Sequence, residues 1–575
     1  MKKVLVMLLL VLVAAYAVDR NITRIQTVLP NPNDNRPQTK ISPFTRQSNP
    51  INPTPLLIGR LEVIGYTSYD WQANGPVYHD CIYDPVANGI HCLWMYSHFN
   101  QATDRQMYYN FYDFSSHAWN WPDAGIGVYT MRSGYGGMDN DPISGCAYVT
   151  AHATVSSVMT TVAARDQAPG AGLFEYSNAA AGYQWPPCAV SHSENIGVAL
   201  TNSTDQDSLW YTRGTPWNTW STPVRIPDPG APADFPTQNI AASKTSNKMV
   251  YVWQCSDDPY PERAMYKLST DGGATWGTQT QIPFPPSVGI TPGFHISGLF
   301  AMFDASDNLH IVASVSDTGF TIPAEIWHYC PTNTPAYKLV HHYEADTLTA
   351  PVGYNAIFAT RPSIVQDAAN PTNFYVAWEE FDSLNYEPLT TLARADIYVA
   401  QLTNNGNTVA RKGRITDPNT TSKRFPVVGG IKNDTVFVQY LIDSIAGMEL
   451  YTQGVATNNP VVVQRFYKNS LPAAVEENPS NRYYSVALKP ASPNPFIYTT
   501  NITYTVPISG NVNLTIYDIL GRPVRTMVSG TKTPGEYTAI WDGKDANGNK
   551  TQAGIYFYTL STADKSVSRK IIRTN

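Results

Sequence analysis

A turn followed by a β-strand recurs seven times along the middle of this chain, and the recurrence leaves few folds open. Clear copies occupy residues 83–94, 244–253, 303–312, 366–378 and 430–438, with fainter ones at 146–149 and 195–200. In Phe303-Asp-Ala-Ser-Asp-Asn-Leu-His-Ile-Val312, turn-forming Asp and Asn precede an alternating apolar stretch, the signature of a half-buried strand. A second aromatic or aliphatic stripe follows each copy, at 105–109, 173–176, 209–211, 264–268, 325–329, 396–399 and 448–451. The period is roughly 45 to 65 residues, long enough for a four-stranded sheet with its loops. Such a sheet cannot bury both its faces alone, so successive sheets must stack in a ring. The expectation is an all-β protein in which residues 60–467 form a β-propeller of seven blades, with six or eight left open by the faint copies. Residues 61–66 look like a strand that closes the ring by joining the last blade.

Composition agrees with that fold and narrows the partners. Aromatic residues make up 12% of the chain and charged residues only 15%, with 44 Pro and 37 Gly, which favours strands and turns over exposed helices. A net charge of −6 over 575 residues points neither to nucleic acid nor to an anionic membrane.

One copy carries a sharp motif. Ser269-Thr-Asp-Gly-Gly-Ala-Thr-Trp276 resembles the S-x-D-G-x-T-W Asp-box of sialidase-like (BNR) propellers, with one extra Gly at the variable place. Weaker echoes stand at residues 212–217 and 115–119. Ser269 opens the box, Asp271 can accept turn amides, Gly272 and Gly273 tolerate positive φ, and Thr275 and Trp276 close it with a large ring to bury. The resemblance implies a structural box in an outer hairpin, away from any active centre. A sialidase-like mechanism would need three convergent arginines, a Tyr–Glu pair and an Asp acid/base. The F/Y-R-I/L-P signature is missing from its N-terminal place, so no catalytic set can be assigned.

The two ends read as export signals. Lys2-Lys3, an apolar run from Val4 to Val13 and Ala15-Tyr-Ala17 predict a cleaved signal peptide over residues 1–17. No later stretch reaches the ~18 apolar residues of a spanning helix. Residues 18–59 are a Pro- and Asn-rich extended lead-in, and 468–484 a linker. Residues 485–575 alternate in short strands between turns, as a small β-sandwich does. The order Pro493-Asn-Pro-Phe496, Ile516-Tyr-Asp-Ile-Leu-Gly-Arg522, Trp541-Asp-Gly543, Gly554-Ile-Tyr-Phe-Tyr-Thr-Leu560 resembles the C-terminal sorting domain of bacterial type IX secretion cargo. It is also similar to the Ig-like domain of the flagellar hook-capping protein. The resemblance implies a secreted or cell-surface protein, exported through the periplasm, with the secretion machinery as one partner.

Candidate site residues are few. Asp257, Asp258 and Glu262, and Glu379, Glu380 and Asp382, follow strands ending in Trp and are expected on one rim of the ring, where propeller ligands bind. Six cysteines in an oxidising compartment suggest disulfides: Cys81 and Cys92 flank a hairpin turn symmetrically, Cys146 and Cys188 recur in the next two repeats, and Cys255 and Cys330 have no assigned partner. No cofactor or metal site is expected: the scattered histidines lack ligand spacing, and residues 542–550 break the calcium-loop pattern. Two function classes stay open. The favoured one is a binding protein whose propeller rim recognises a glycan or another protein; the other is an extracellular glycoside hydrolase or lyase with a diverged site.

Overall fold

The computed structural model describes residues 57–574, apart from 74–76, 99–103, 229–232, 257–261, 285–293, 318–321, 345–347, 475–486, 507–509, 533–534 and 563–565. Seven antiparallel sheets of four or five strands precede residue 468. Their innermost strands are Cys81–Asp84, Met138–Asn140, Cys188–Val190, Ala233–Ala242, Phe294–Phe303, Ala359–Gln366 and Ser422–Lys432, which number blades 1 to 7. Each abuts the next, and the last returns to the first, so the ring is closed. Arg60–Thr67 pairs with Asn459–Tyr467 as the outer strand of blade 7, so the two ends of the propeller are tied in one sheet.

The seven sequence copies fall one per blade, at the turn from the innermost strand into the second. The reason is local hydrogen bonding. Asp84 accepts the N–H groups of Val86 and Ala87, Asp141 those of Ile143 and Ser144, and Asp304 those of Ser306 and Asn308. Ser243 does the same for Thr245 and Ser246, and Asp367 for Ala369. A short polar side chain that satisfies its own turn makes reversal independent of the rest of the fold. The strand that follows is buried on both sides between blades: Trp94, Trp253 and Trp378 are fully enclosed.

Two of the expected second stripes belong elsewhere. Phe174–Ala181 is the outermost strand of blade 2, whose third strand is Val158–Asp166. Glu449–Tyr451 is a 3-10 turn, and Asn459–Tyr467 is the third strand of blade 7. Nor is the start of the expected linker free of the ring. Leu471 is fully buried, and the chain at 472–474 bonds to Ala410 and Lys412 on the outer strand of blade 6.

The structure contains none of the expected disulfides. Cys81 and Cys92 do face each other in register, but their sulfurs stand 3.9 Å apart as thiols. Both lie in an apolar core, and burial pushes the Cys92 thiol well up. Cys146 and Cys188 lie in different blades, with the Cys188 sulfur against the Gly137 and Tyr148 carbonyls; Cys330 is likewise a free thiol.

The C-terminal residues form a separate sandwich. A three-stranded sheet (Ala487–Leu488, Thr500–Val506, Gly535–Trp541) and a four-stranded one (Pro523–Lys532, Gly510–Asp518, Gly554–Ser561, Ser566–Arg573) enclose Trp541, Tyr504, Tyr558 and Leu514. Asp545 accepts the N–H groups of Asn547 and Asn549 around Gly548 (φ 83°), so this segment is a self-satisfied turn.

Candidate functional site at the mouth of the ring

In an antiparallel blade, the loops joining second to third strands share one face of the ring with the connections between blades. On that face the innermost strands stop being regular. Register shifts fall at Ser297/Phe300, Thr360/Ser363 and Arg424/Val427, and the inner strands of blades 2 and 3 are interrupted. At each break one residue turns left-handed: Tyr135 (φ 50°), Trp185 (52°), Gly298 (59°), Arg361 (53°) and Phe425 (57°). For residues with a Cβ this conformation costs on the order of 1–3 kcal/mol each. A bulge re-aims a side chain out of the pleat. Here one end of the ring collects Tyr, Trp, Arg and Phe side chains.

Around them lies an aromatic floor. Trp71 meets Tyr135 edge-on at 6.0 Å and Tyr354 edge-on at 5.8 Å, and Tyr451 at a tilt at 4.5 Å. Tyr354 and Tyr451 stack on each other at 3.8 Å and remain 41% and 36% exposed. Four loops hold this pair. Tyr354 N–H donates to Gln453, Thr390 hydroxyl to the Ala446 carbonyl, and Asp70, beside Trp71, accepts the Glu449 N–H. Burial lifts the Asp70 carboxyl to about 6, and Asp443 nearby is raised as well by burial and by Asp70.

Two arginine pairs flank the floor. Arg361 and Arg424, both buried, share Glu379, which also accepts the Phe425 N–H, and both guanidiniums pack on the Phe425 ring. Burial alone would raise the Glu379 carboxyl, but the two guanidiniums and the N–H hold it below its usual range. The second pair is Arg105 and Arg132. Arg105, 5% exposed, donates to Tyr69 hydroxyl, the Ser133 carbonyl and His152 Nε2, and lies 4.5 Å over the Tyr135 ring. Tyr69 and Tyr135 share a hydrogen bond between their hydroxyls. His152 stacks on Tyr135 and is held neutral, its pKa driven well down by burial and by both arginines.

Of the expected rim acids, Glu379 reaches this cluster. Glu262 is buried and receives the Ile296 N–H, bracing blade 4 to blade 5. Glu380 points away from Glu379, to Trp378 Nε1 and His341. Asp382 is exposed and caps Leu384 N–H; Asp257 and Asp258 lie outside the described residues. The Asp-box occupies the opposite face, in the turn between the third and fourth strands of blade 4. Asp271 accepts Ser269 hydroxyl and both the N–H and hydroxyl of Thr275. Gly272 and Gly273 have φ 67° and 78°, and a Cβ on Gly273 would meet the Tyr211 hydroxyl at 1.8 Å. Trp276, half-buried, packs edge-on against Tyr211 of blade 3 at 4.9 Å.

The aromatic and basic residues of the mouth were not singled out from the sequence. A signal existed. Trp185-Pro186, Phe235-Pro236, Arg361-Pro362 and Phe425-Pro426 repeat one dipeptide at the same place in four blades, where each inner strand breaks. Proline lacks the N–H a regular ladder uses, so its recurrence marks the break.

Comparison with known proteins adds a family for one part of the chain: residues 499–566 match the FlgD Ig-like domain. No curated protein sequence matches the chain. Among solved structures, the chain is similar to a polysaccharide lyase, an ulvan lyase bound to GlcA(1-4)Rha3S, at 10% identity and TM-score 0.46, over 72% of this chain and 95% of that one. It is similar also to a protein of unknown function from Dyadobacter fermentans (10% identity, TM-score 0.40, 72% and 100% covered). A third is the BP39L lectin from Burkholderia pseudomallei (13% identity, TM-score 0.38, 70% and 97% covered). At these scores the likenesses carry no argument about activity; the propeller rests on the strand pairing above, and the C-terminal sandwich on its own sheets and the matched family model.

Proposed function

We propose that the propeller is a carbohydrate-binding domain whose ligand lies across the mouth, and that the chain works outside the cell. The stacked and exposed Tyr354–Tyr451 pair on Trp71 carries the reading. Rigid aromatic faces beside convergent polar groups suit a sugar ring, which offers an apolar face and a hydroxyl rim. Binding is favoured over hydrolysis because the carboxylates beside the floor are engaged: Glu379 by two arginines, Asp70 by Glu449 N–H, Asp443 by Ile445 N–H and Asn459. Titrating a panel of soluble polysaccharides should find a ligand, and Tyr354→Ala and Tyr451→Ala should each weaken it about tenfold or more, the loss of roughly 1–3 kcal/mol of stacking. Unchanged affinity in both variants, or accumulation of cleaved ends, would replace this reading.

Export rests on the sequence of both ends. Residues 1–17 act as signal peptide and the Ig-like domain as the type IX sorting label. Truncation at residue 484 should leave a folded propeller in the periplasm; normal surface delivery of that truncation rejects the label.

A further inference from the structure

The two arginine pairs at the mouth differ in one respect that bears on the ligand. Arg361 and Arg424 have Glu379 between them. Arg105 and Arg132 have no carboxylate partner among the described residues. Arg105 is bonded to a phenol, a carbonyl and an imidazole, none of which carries negative charge. Its sequence neighbour Asp104 is turned to Ser97 and His98. Arg132 is exposed, close enough to feel the Arg105 charge, and is pulled below its ordinary range by burial and then by that charge. A buried guanidinium without a counter-charge, beside a second cation, is costly unless an anion completes it. His152 cannot supply repulsion relief, but because it is neutral it adds no third charge to the pocket.

Resting on the carbohydrate-binding reading above, we infer that the ligand is an acidic carbohydrate, whose carboxylate or sulfate ester sits against Arg105 and Arg132 while its ring lies along Trp71 and the Tyr354–Tyr451 pair. Arg132 is the accessible arm of the pair and Arg105 the fixed one, since Arg105 packs under Tyr135 and against Gly134. A planar guanidinium pair matches the oxygens of either anion. The protein as a whole is acidic, with net charge −6, so attraction of a polyanion must come from this local site and not from overall charge.

The test is calorimetric titration of the mature full chain with three soluble polymers of matched length: a polyuronate, a sulfated galactan and a neutral glucan. The expected result is at least tenfold tighter binding of one acidic polymer than of the glucan, weakened by added salt. Preference between the polyuronate and the galactan tells carboxylate from sulfate. Arg132→Gln should lower the acidic affinity about tenfold and spare any glucan binding, with Arg132→Lys recovering part of it. Arg105→Gln opens a buried network and risks unfolding, so the exposed Arg132 carries the test. Glucan binding as tight as that of the acidic polymers, or an Arg132→Gln variant with unchanged acidic affinity, overturns the inference while leaving a carbohydrate site. Failure of all three polymers to bind overturns both readings together.

Discussion

The two faces of the ring solve the same problem, reversing the chain, in opposite ways. On the turn face the polar groups are spent locally: Asp84, Asp141, Asp271, Asp304 and Asp367 each satisfy amides within a few residues of themselves. At the mouth the left-handed positions are bulky ones, Tyr135, Trp185, Arg361 and Phe425, where the turn face mostly uses Asn, Asp and Gly, and buried guanidiniums take partners from other blades. Strain and uncompensated charge persist only where the surrounding fold over-determines them, and they gather at binding sites. The turn face therefore builds the propeller, and the mouth draws on the stability so gained.

The largest expected effect tests whether the mouth depends on that support. Glu379→Gln keeps the side chain's shape but leaves Arg361 and Arg424 buried without a counter-charge. Breaking a buried pair in this way costs about 3–5 kcal/mol. The urea midpoint should fall accordingly. A midpoint within error of the native protein would mean that solvent reaches these arginines and that the contrast between faces is overstated.

A smaller effect is expected across the ring. Trp276→Ala removes a ring that wedges blade 4 against Tyr211, but one only half-buried, so about 2 kcal/mol is expected where a fully enclosed Trp would cost more. Ligand affinity of the folded variant should not change. A variant of native stability that no longer binds carbohydrate would move the site to this face.

The same contrast explains what was legible in the sequence. Turns that satisfy themselves leave a local signature, so Phe303-Asp-Ala-Ser-Asp-Asn and its counterparts announced seven blades, and the alternation after residue 500 announced the sandwich. The mouth has no such signature. Tyr69, Arg105, Tyr135 and His152 lie up to 83 residues apart and meet only because blades 1 and 2 adjoin. Residues 448–451 misled for a related reason: their alternation is apolar because Met448 and Tyr451 pack on the aromatic floor, and not because they form a strand. Glu379 and Glu380 were expected together on the rim, yet neighbouring residues of one strand point to opposite faces: Glu379 meets Arg361, while Glu380 meets Trp378.

The smallest effect is the cleanest discriminator, because Asp271 is exposed and belongs wholly to its own turn. Thr275 hydroxyl, then the Thr275 N–H and Ser269 hydroxyl, outweigh a slight desolvation and hold its carboxyl down at about 2. A carboxylate depressed on folding contributes stability above its unfolded value near 3.8, and that contribution disappears as pH falls toward about 2. Solvent screening keeps it modest, so Asp271→Ala should cost less than about 1 kcal/mol at pH 7. The difference in melting temperature between native and variant should stay constant down to about pH 4 and vanish by about pH 2. Carbohydrate affinity at pH 7 should be the same for both proteins. If the difference persists unchanged in acid, the Asp271 carboxylate is not what holds the hairpin; if affinity is lost instead, the turn face is not merely structural and the division of labour between the two faces fails.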